Sequence, residues 1–203
     1  KALQATTELL KATGAEDVVR HEGLLTVYQD EAGLRNDKLS WDLKAKHGVP
    51  ATKITRQEIQ EMEPALADIF EIGMYNPEAC YAVDPYKVVN RLANFFVRHG
   101  GVILQRDVTG FDMGPEGPVA IFTDQGAIEI NNLVIAAGAW SHKLSAQLGN
   151  RVPLESHRGY HTTLPDSGVE LKTPIIWADH HFSATPMDVG LRFAGTVEFA
   201  GLD

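Results

Sequence analysis

Cysteine is nearly absent from this 203-residue chain: Cys80 stands alone. No internal disulfide can form, so a reducing compartment is permitted and oxidative secretion gains no support. Cys80 follows Asn76-Pro77-Glu78-Ala79 with no local base, and reads as a half-buried small residue rather than a nucleophile. Long hydrophobic runs are missing too. The longest, Leu133 to Trp140, is far too short to span a bilayer. Positive charge is scarce: 18 Lys and Arg against 27 Asp and Glu give a formal net charge of −9. A nucleic-acid surface needs clustered cations to replace counterions, so nucleic acid is excluded as a partner. A small anionic substrate is not, because one buried Arg can bind a carboxylate whatever the total charge. The glycine fingerprint G-x-G-x-x-G does not occur.

What is present is ordinary globular material, 44% hydrophobic and 22% charged, enough for a sizeable core. The chain opens as Lys1-Ala2-Leu3-Gln4, already in helical pattern with no capping residue ahead of it, and reads as an internal piece of a larger protein. That first helix should end at Gly14. Strand patterns follow at 18–21 and 24–28, broken at Gly23. A polar helix is expected over 31–47, stopped by Gly48 and Pro50. Thr55 and Glu58 form a capping box for a helix ending near Pro64, and 69–76 reads as extended.

From position 84 the pattern changes. Asp84 is an N-cap and Pro85 sits where a missing N–H is harmless, so a helix runs to Gly100-Gly101. A strand is expected at Val102-Ile103-Leu104. Strands near 118–123 and 127–130 turn at Asp124-Gln125-Gly126. Leu133-Val134-Ile135-Ala136 is apolar throughout, the pattern of a strand buried on both faces. Together these suggest one half of a nucleotide-binding α/β sheet. After Arg151, strand patterns at about 152–164, 174–178, 182–187 and 191–199 suggest an antiparallel sheet with no helix pattern.

The segment Leu133 to Ser141 is the most informative. An apolar strand ends in small residues, and a helix is expected near Ser141. Ligands of open α/β sheets bind beyond the carboxyl ends of strands, where small residues let backbone approach them. Tight helix–strand packing without a ligand explains the same residues.

Ala136-Ala137-Gly138-Ala139-Trp140-Ser141 resembles the A-x-G-A-W-S segment of the D-amino-acid oxidase superfamily, which includes glycine oxidase, sarcosine oxidase and D-amino-acid dehydrogenase. Glu61 to Leu66 is similar to that family's E-x-E-P-x-L turn. Asp84 through Val108 is similar to its helix, G-V strand and V-x-G segment. Arg158-Gly159-Tyr160 and Leu191 to Glu198 are similar to its R-G-Y and G-G-T-x-E strands. Each motif alone is weak; four in the family's order, across nearly the whole chain, are much stronger.

The resemblance implies an α+β to α/β protein of p-hydroxybenzoate-hydroxylase-like architecture. A partial FAD-binding domain, 81–150, would join a β-rich substrate domain formed by 1–80 and 151–203, with helices on one face. It implies FAD as cofactor, with Val108 meeting the adenine through its backbone. Ala136, Ala137 and Gly138 would line the crevice, and Trp140 would lie close by. Tyr160, His180 and His181 become substrate-side candidates. The implied reaction is hydride transfer from the amine carbon of a small amino acid to the flavin, with oxygen or a quinone as electron acceptor. The flavin carries that chemistry, so no acid–base dyad is nominated. The missing glycine fingerprint, and an end before the family's closing segment and its substrate-binding Arg, leave the 203 residues expected to be inactive alone. A cytoplasmic location is expected, with peripheral attachment to the inner membrane as the alternative; oligomeric state is not legible.

Two rivals stand beside this reading. One is a sarcosine- or glycine-oxidizing flavoenzyme of the same architecture. The other is a non-catalytic binding module with a histidine metal site. His157 and His161 would share one strand face, and His180 and His181 follow on a neighbouring strand. Adjacent strand residues point to opposite faces, however, and no Cys joins them. Arg158 is read as a structural ion-pair partner rather than a carboxylate binder.

Overall fold

The computed structural model describes residues 2–202; Lys1, at the head of the helical opening, lies outside them. The chain divides into two compact units. The first comprises residues up to Gly101 together with Gly159–Thr196, and the second comprises Val102–Arg158 with the residues from Val197 on.

In the first unit, helix α1 (Ala2–Thr13) ends at Gly14, whose φ of +67° only glycine adopts freely. Strands β1 (Val19–Arg20) and β2 (Leu24–Tyr28) follow. The expected single helix over 31–47 is two, α2 (Glu31–Asn36) and α3 (Lys38–Lys46), meeting at Asp37. The break has a physical cause. The Tyr28 hydroxyl donates to the Asp37 carboxylate at 2.7 Å and accepts from Trp41 Nε1 at 2.6 Å, and Asp is a weak helix-interior residue. Strand β3 (Thr52–Thr55) leads into α4 (Arg56–Met62), which carries the expected Thr55–Glu58 capping box. Strands β4 (Ile72–Asn76) and β5 (Tyr81–Ala82) precede α5 (Pro85–Arg98), where the Asp84 carboxylate caps Lys87 N–H at 3.1 Å.

The second unit holds an antiparallel three-stranded sheet of β6 (Val108–Gly114), β7 (Gly117–Thr123) and β8 (Gly126–Glu129). Helix α6 (Ser141–Gln147) starts where expected. Two expectations fail here. Val102-Ile103-Leu104 forms no strand, and all three side chains are exposed. Leu133–Ala136 also joins no sheet, and Val134 is 86% exposed rather than buried on both faces. Both segments have strand composition but find no partner strand among the described residues, and composition cannot supply a hydrogen-bonding neighbour.

The C-terminal strands are β9 (Arg158–Leu164), β10 (Ile175–Trp177), β11 (Phe182–Met187) and β12 (Gly190–Glu198). The first begins at 158, not 152. These strands do not form a sheet of their own. They complete a seven-stranded sheet ordered β3-β4-β2-β10-β11-β12-β9, in which β10 runs parallel to β2 and antiparallel to β11. Alternation puts Leu25, Val27, Ile175, Ala184 and Leu191 on one face, packed against Ile54, Ile59 and Phe70. A smaller core of Leu10, Ala15, Val18 and Val83 sits where α1 and α5 meet the β1–β5 pair.

Candidate functional site

The apolar face of the large sheet carries a hollow of about 590 Å³ at its β12–β9 end, within the first unit. Tyr160, His161, His180, Phe182, Phe193 and Gly195 line it. Register explains the assembly. Ser183 pairs with Ala194 and Ala184 with Phe193, so Phe182 and Phe193 project from the same side as the core residues. A Cβ on Gly195 would stand 2.6 Å from Phe182 Cβ and 2.8 Å from the His181 carbonyl oxygen. Glycine therefore lets β12 press against the start of β11.

Trp177 ends β10 and anchors the aromatic wall. Its ring meets Phe70 edge-on at 5.1 Å, His180 at 4.4 Å and Phe182 at 5.5 Å. Past Trp177 the chain makes a 3-10 turn, Ala178–His180, and His181 takes a left-handed conformation with φ 53°. The two histidines thus leave the strand geometry expected of them. His180 enters the hollow with Tyr160. His181 faces a different cleft of about 380 Å³, with Tyr28, Asp37, Lys44 and Asp179. Burial and the acceptor Asp37 push the Tyr28 hydroxyl well above the ordinary tyrosine range, although the Trp41 N–H opposes them, so it stays protonated and donates.

The four histidines of the metal reading are not gathered. His157 meets Phe199 edge-on at 4.0 Å, and His180 meets Trp177 edge-on. Among the described residues, no group of three or more His, Cys, Asp or Glu side chains is placed to hold a metal. Arg158 pairs with Glu198 at 3.5 Å, the ion pair expected of it.

The cofactor-side candidates lie in the second unit. Val108 opens β6 opposite Thr123. The Ala137 N–H donates to Ser141 Oγ at 3.0 Å. Gly138 has φ +54°, and a Cβ built on it would meet nothing within 4 Å, so its backbone is open to approach. Trp140 is exposed. A groove of about 740 Å³ runs beside this segment, lined by Leu133, Ile135, Pro118 and Leu148, but none of the five candidates lines it. Open backbone at Gly138 and the exposed Trp140 indole fit one wall of a large planar cofactor. They include no phosphate grip.

Sequence reasoning missed Phe193 and Gly195 as lining residues. The alternation along 182–187 and 190–198 held the signal, but only cross-strand register decides which parity faces the hollow.

The model of one protein family, FAD dependent oxidoreductase, matches residues 1–203. The chain belongs to this family. Among curated relatives, the D-amino-acid oxidase of Bradyrhizobium diazoefficiens is 31% identical over 196 residues, covering 97% of this chain and 46% of that protein. D-amino acid dehydrogenase 2 of Mesorhizobium japonicum is 28% identical, covering 94% and 47%. The chain spans about half the length of the curated relatives it matches. Of solved structures, L-proline dehydrogenase from P. horikoshii superposes with a TM-score of 0.81 at 21% identity, over 99% of this chain and 56% of that one. Glycine oxidase from Bacillus cereus gives 0.78 at 20%, over 98% and 54%. At these identities the structures show a shared fold. In this family's architecture the mixed sheet with helices has its expected place. Among the described residues, no helix is long and apolar enough to cross a membrane.

Proposed function

We propose that this chain is part of an FAD-dependent enzyme that oxidizes the amine carbon of an amino acid, in the manner of D-amino acid oxidases and dehydrogenases. One observation carries the reading: within a family of FAD-dependent oxidoreductases, the sheet presents a hollow that combines an apolar wall with Tyr160 and His180. Tyr160 and His180 would orient the substrate's polar groups. Phe182 and Phe193 would keep water from the reacting carbon. Val108 and the backbone of Ala136, Ala137 and Gly138 would hold the cofactor, with Trp140 beside them; Gly138 is where closest approach is open.

When bound, FAD would supply the two-electron acceptor for a hydride from the α-carbon of the neutral amine, and the iminium left behind would be hydrolysed by water to the carbonyl product and ammonium. No side chain of this chain is assigned a proton-transfer step. The residues 1–80 and 151–203 are assigned to the substrate side and 81–150 to the cofactor side, the phosphate grip being supplied from elsewhere in a longer protein. The reduced cofactor would pass its electrons to oxygen or a quinone.

The experiment is anaerobic mixing of the full-length protein with D-amino acids, glycine and sarcosine, following flavin absorbance. Bleaching by D-amino acids supports the reading. If glycine or sarcosine alone bleaches the flavin, the assignment moves to the glycine-oxidase type. If nothing does, amine oxidation is wrong.

A further inference from the structure

The turn that carries His180 into the hollow is held from the side away from the hollow. Strands β2 and β10 are parallel neighbours, with Trp177 opposite Val27. Beyond Trp177 the ladder stops at the 3-10 turn Ala178–His180. There the Asp179 carboxylate supplies the acceptor, taking the Gln29 backbone N–H at 3.0 Å. Asp179 and His181 line the cleft beside Tyr28, whereas His180 lines the hollow with Tyr160. Consecutive residues of one turn thus face two different spaces.

Two local choices in the sequence are explained by this turn. Gly33 is the third residue of α2 and its φ is not positive, so its backbone does not require glycine, and alanine would be the better helix former. Space requires it. A Cβ on Gly33 would overlap Asp179 Oδ1 and stand 3.3 Å from both Asp179 Cγ and Tyr28 Cδ1. Tyr28 is itself fixed, its hydroxyl bonded to both Asp37 and Trp41. The second choice is His181, the one described non-glycine residue with a positive φ, 53°, where its Cβ crowds a carbonyl. Departures from local preference concentrate where function constrains the chain. Both departures here serve one geometry, with Asp179 against α2 and His180 against Trp177 at 4.4 Å.

We propose that Asp179, seated in the gap left by Gly33, is a positioning residue: it sets where the His180 imidazole stands in the hollow and, through it, how the substrate's polar end is held. What the hollow holds rests on the amine-oxidation reading; the placing of His180 by Asp179 does not. Asp179 does not line the hollow, so it acts only through the turn.

The test uses the full-length flavoprotein and two variants that unseat the carboxylate by different means. Asp179→Ala removes it. Gly33→Ala pushes it out while strengthening α2, so its thermal midpoint should match or exceed that of the parent. With the amino acid that reduces the flavin, kcat/KM should fall by roughly 10-fold or more in both, since misplacing a positioned group by about 1 Å can cost on the order of 100-fold. In a His180→Ala background neither substitution should lower it further, because residues that act through one another are not additive. A second readout needs no substrate. The His180 Cε1 proton resonance, displaced by the Trp177 ring beside it, should move toward the value of a free histidine in both variants. An unmoved resonance overturns the proposal, as does an unchanged kcat/KM, or an equal loss with and without His180. If no amino acid reduces the flavin, amine oxidation falls, and the resonance alone decides whether Asp179 places His180.

Discussion

The carboxylate of Glu63 holds the backbone of Thr173 across more than a hundred residues of chain. It is fully buried and accepts the Thr173 N–H at 2.7 Å and the Lys172 N–H at 3.0 Å. These bonds fix the approach to β10, whose last residue, Trp177, anchors the aromatic wall of the hollow. Glu63→Ala orphans the buried Thr173 N–H, worth about 1–3 kcal/mol, while the N–H of Lys172, an exposed residue, can turn to water. Urea unfolding should show a loss of roughly 1–3 kcal/mol, with Glu63→Gln intermediate because an amide oxygen still accepts. A loss within error of zero would mean that water replaces the carboxylate and that the clamp is idle.

Much of the local structure was legible because it depends on neighbours in sequence. The Thr55–Glu58 capping box, the Asp84 cap and the stop at Gly14 are all short-range chemistry. What failed was long-range. Val102–Leu104 and Leu133–Ala136 have strand composition but no partner strand among the described residues. The Asp37 break depends on a hydroxyl nine residues upstream. The parity that sends Phe182 and Phe193 into the hollow depends on pairing with other strands, which a single strand pattern does not encode.

Asp84 and Asp17 should shape the acid limb of stability. The Lys87 backbone N–H holds the Asp84 carboxyl below its ordinary 3.8, and the Arg91 guanidinium does the same for Asp17. A depressed folded-state value means that the contribution is whole above 3.8 and is lost as pH falls through the lower folded value. Asp84→Asn keeps a capping acceptor but removes the charge. Its stability deficit at pH 6 should therefore shrink as the pH drops below 3.8. Denaturant midpoints across that range measure it. A deficit independent of pH would show that the charge contributes nothing.

Gly195→Ala should narrow the hollow and strain the hairpin that forms it. The added methyl meets Phe182 Cα at 2.9 Å and the His181 carbonyl oxygen at 2.8 Å, and backbone atoms cannot swing aside as a side-chain tip can. Overpacking of this kind costs about 1–3 kcal/mol. Under the proposed function, KM of the full-length protein for the amino acid should rise along with the loss of stability. An unchanged denaturation midpoint would mean that β11 and β12 slide apart at no cost.

Val134 offers the sharpest check on the cofactor side. It is 86% exposed, within an extended apolar segment that no described strand pairs. In such a segment water satisfies the backbone N–H and C=O groups, but the apolar side chains gain by burial, which a neighbouring strand would supply along with backbone partners. Under the proposed function, a longer protein supplies a neighbouring strand and buries Val134. Amide exchange over 133–136 should then be fast in the isolated 203 residues and slow in the full-length flavoprotein. Val134→Lys, harmless in the shorter chain, should lower the flavin content of the longer one, because a lysine cannot be buried there without a partner. Equally fast exchange in both, with full flavin content in the variant, would place the segment on an outer surface and leave Ala136 to Gly138 with no part in holding a dinucleotide.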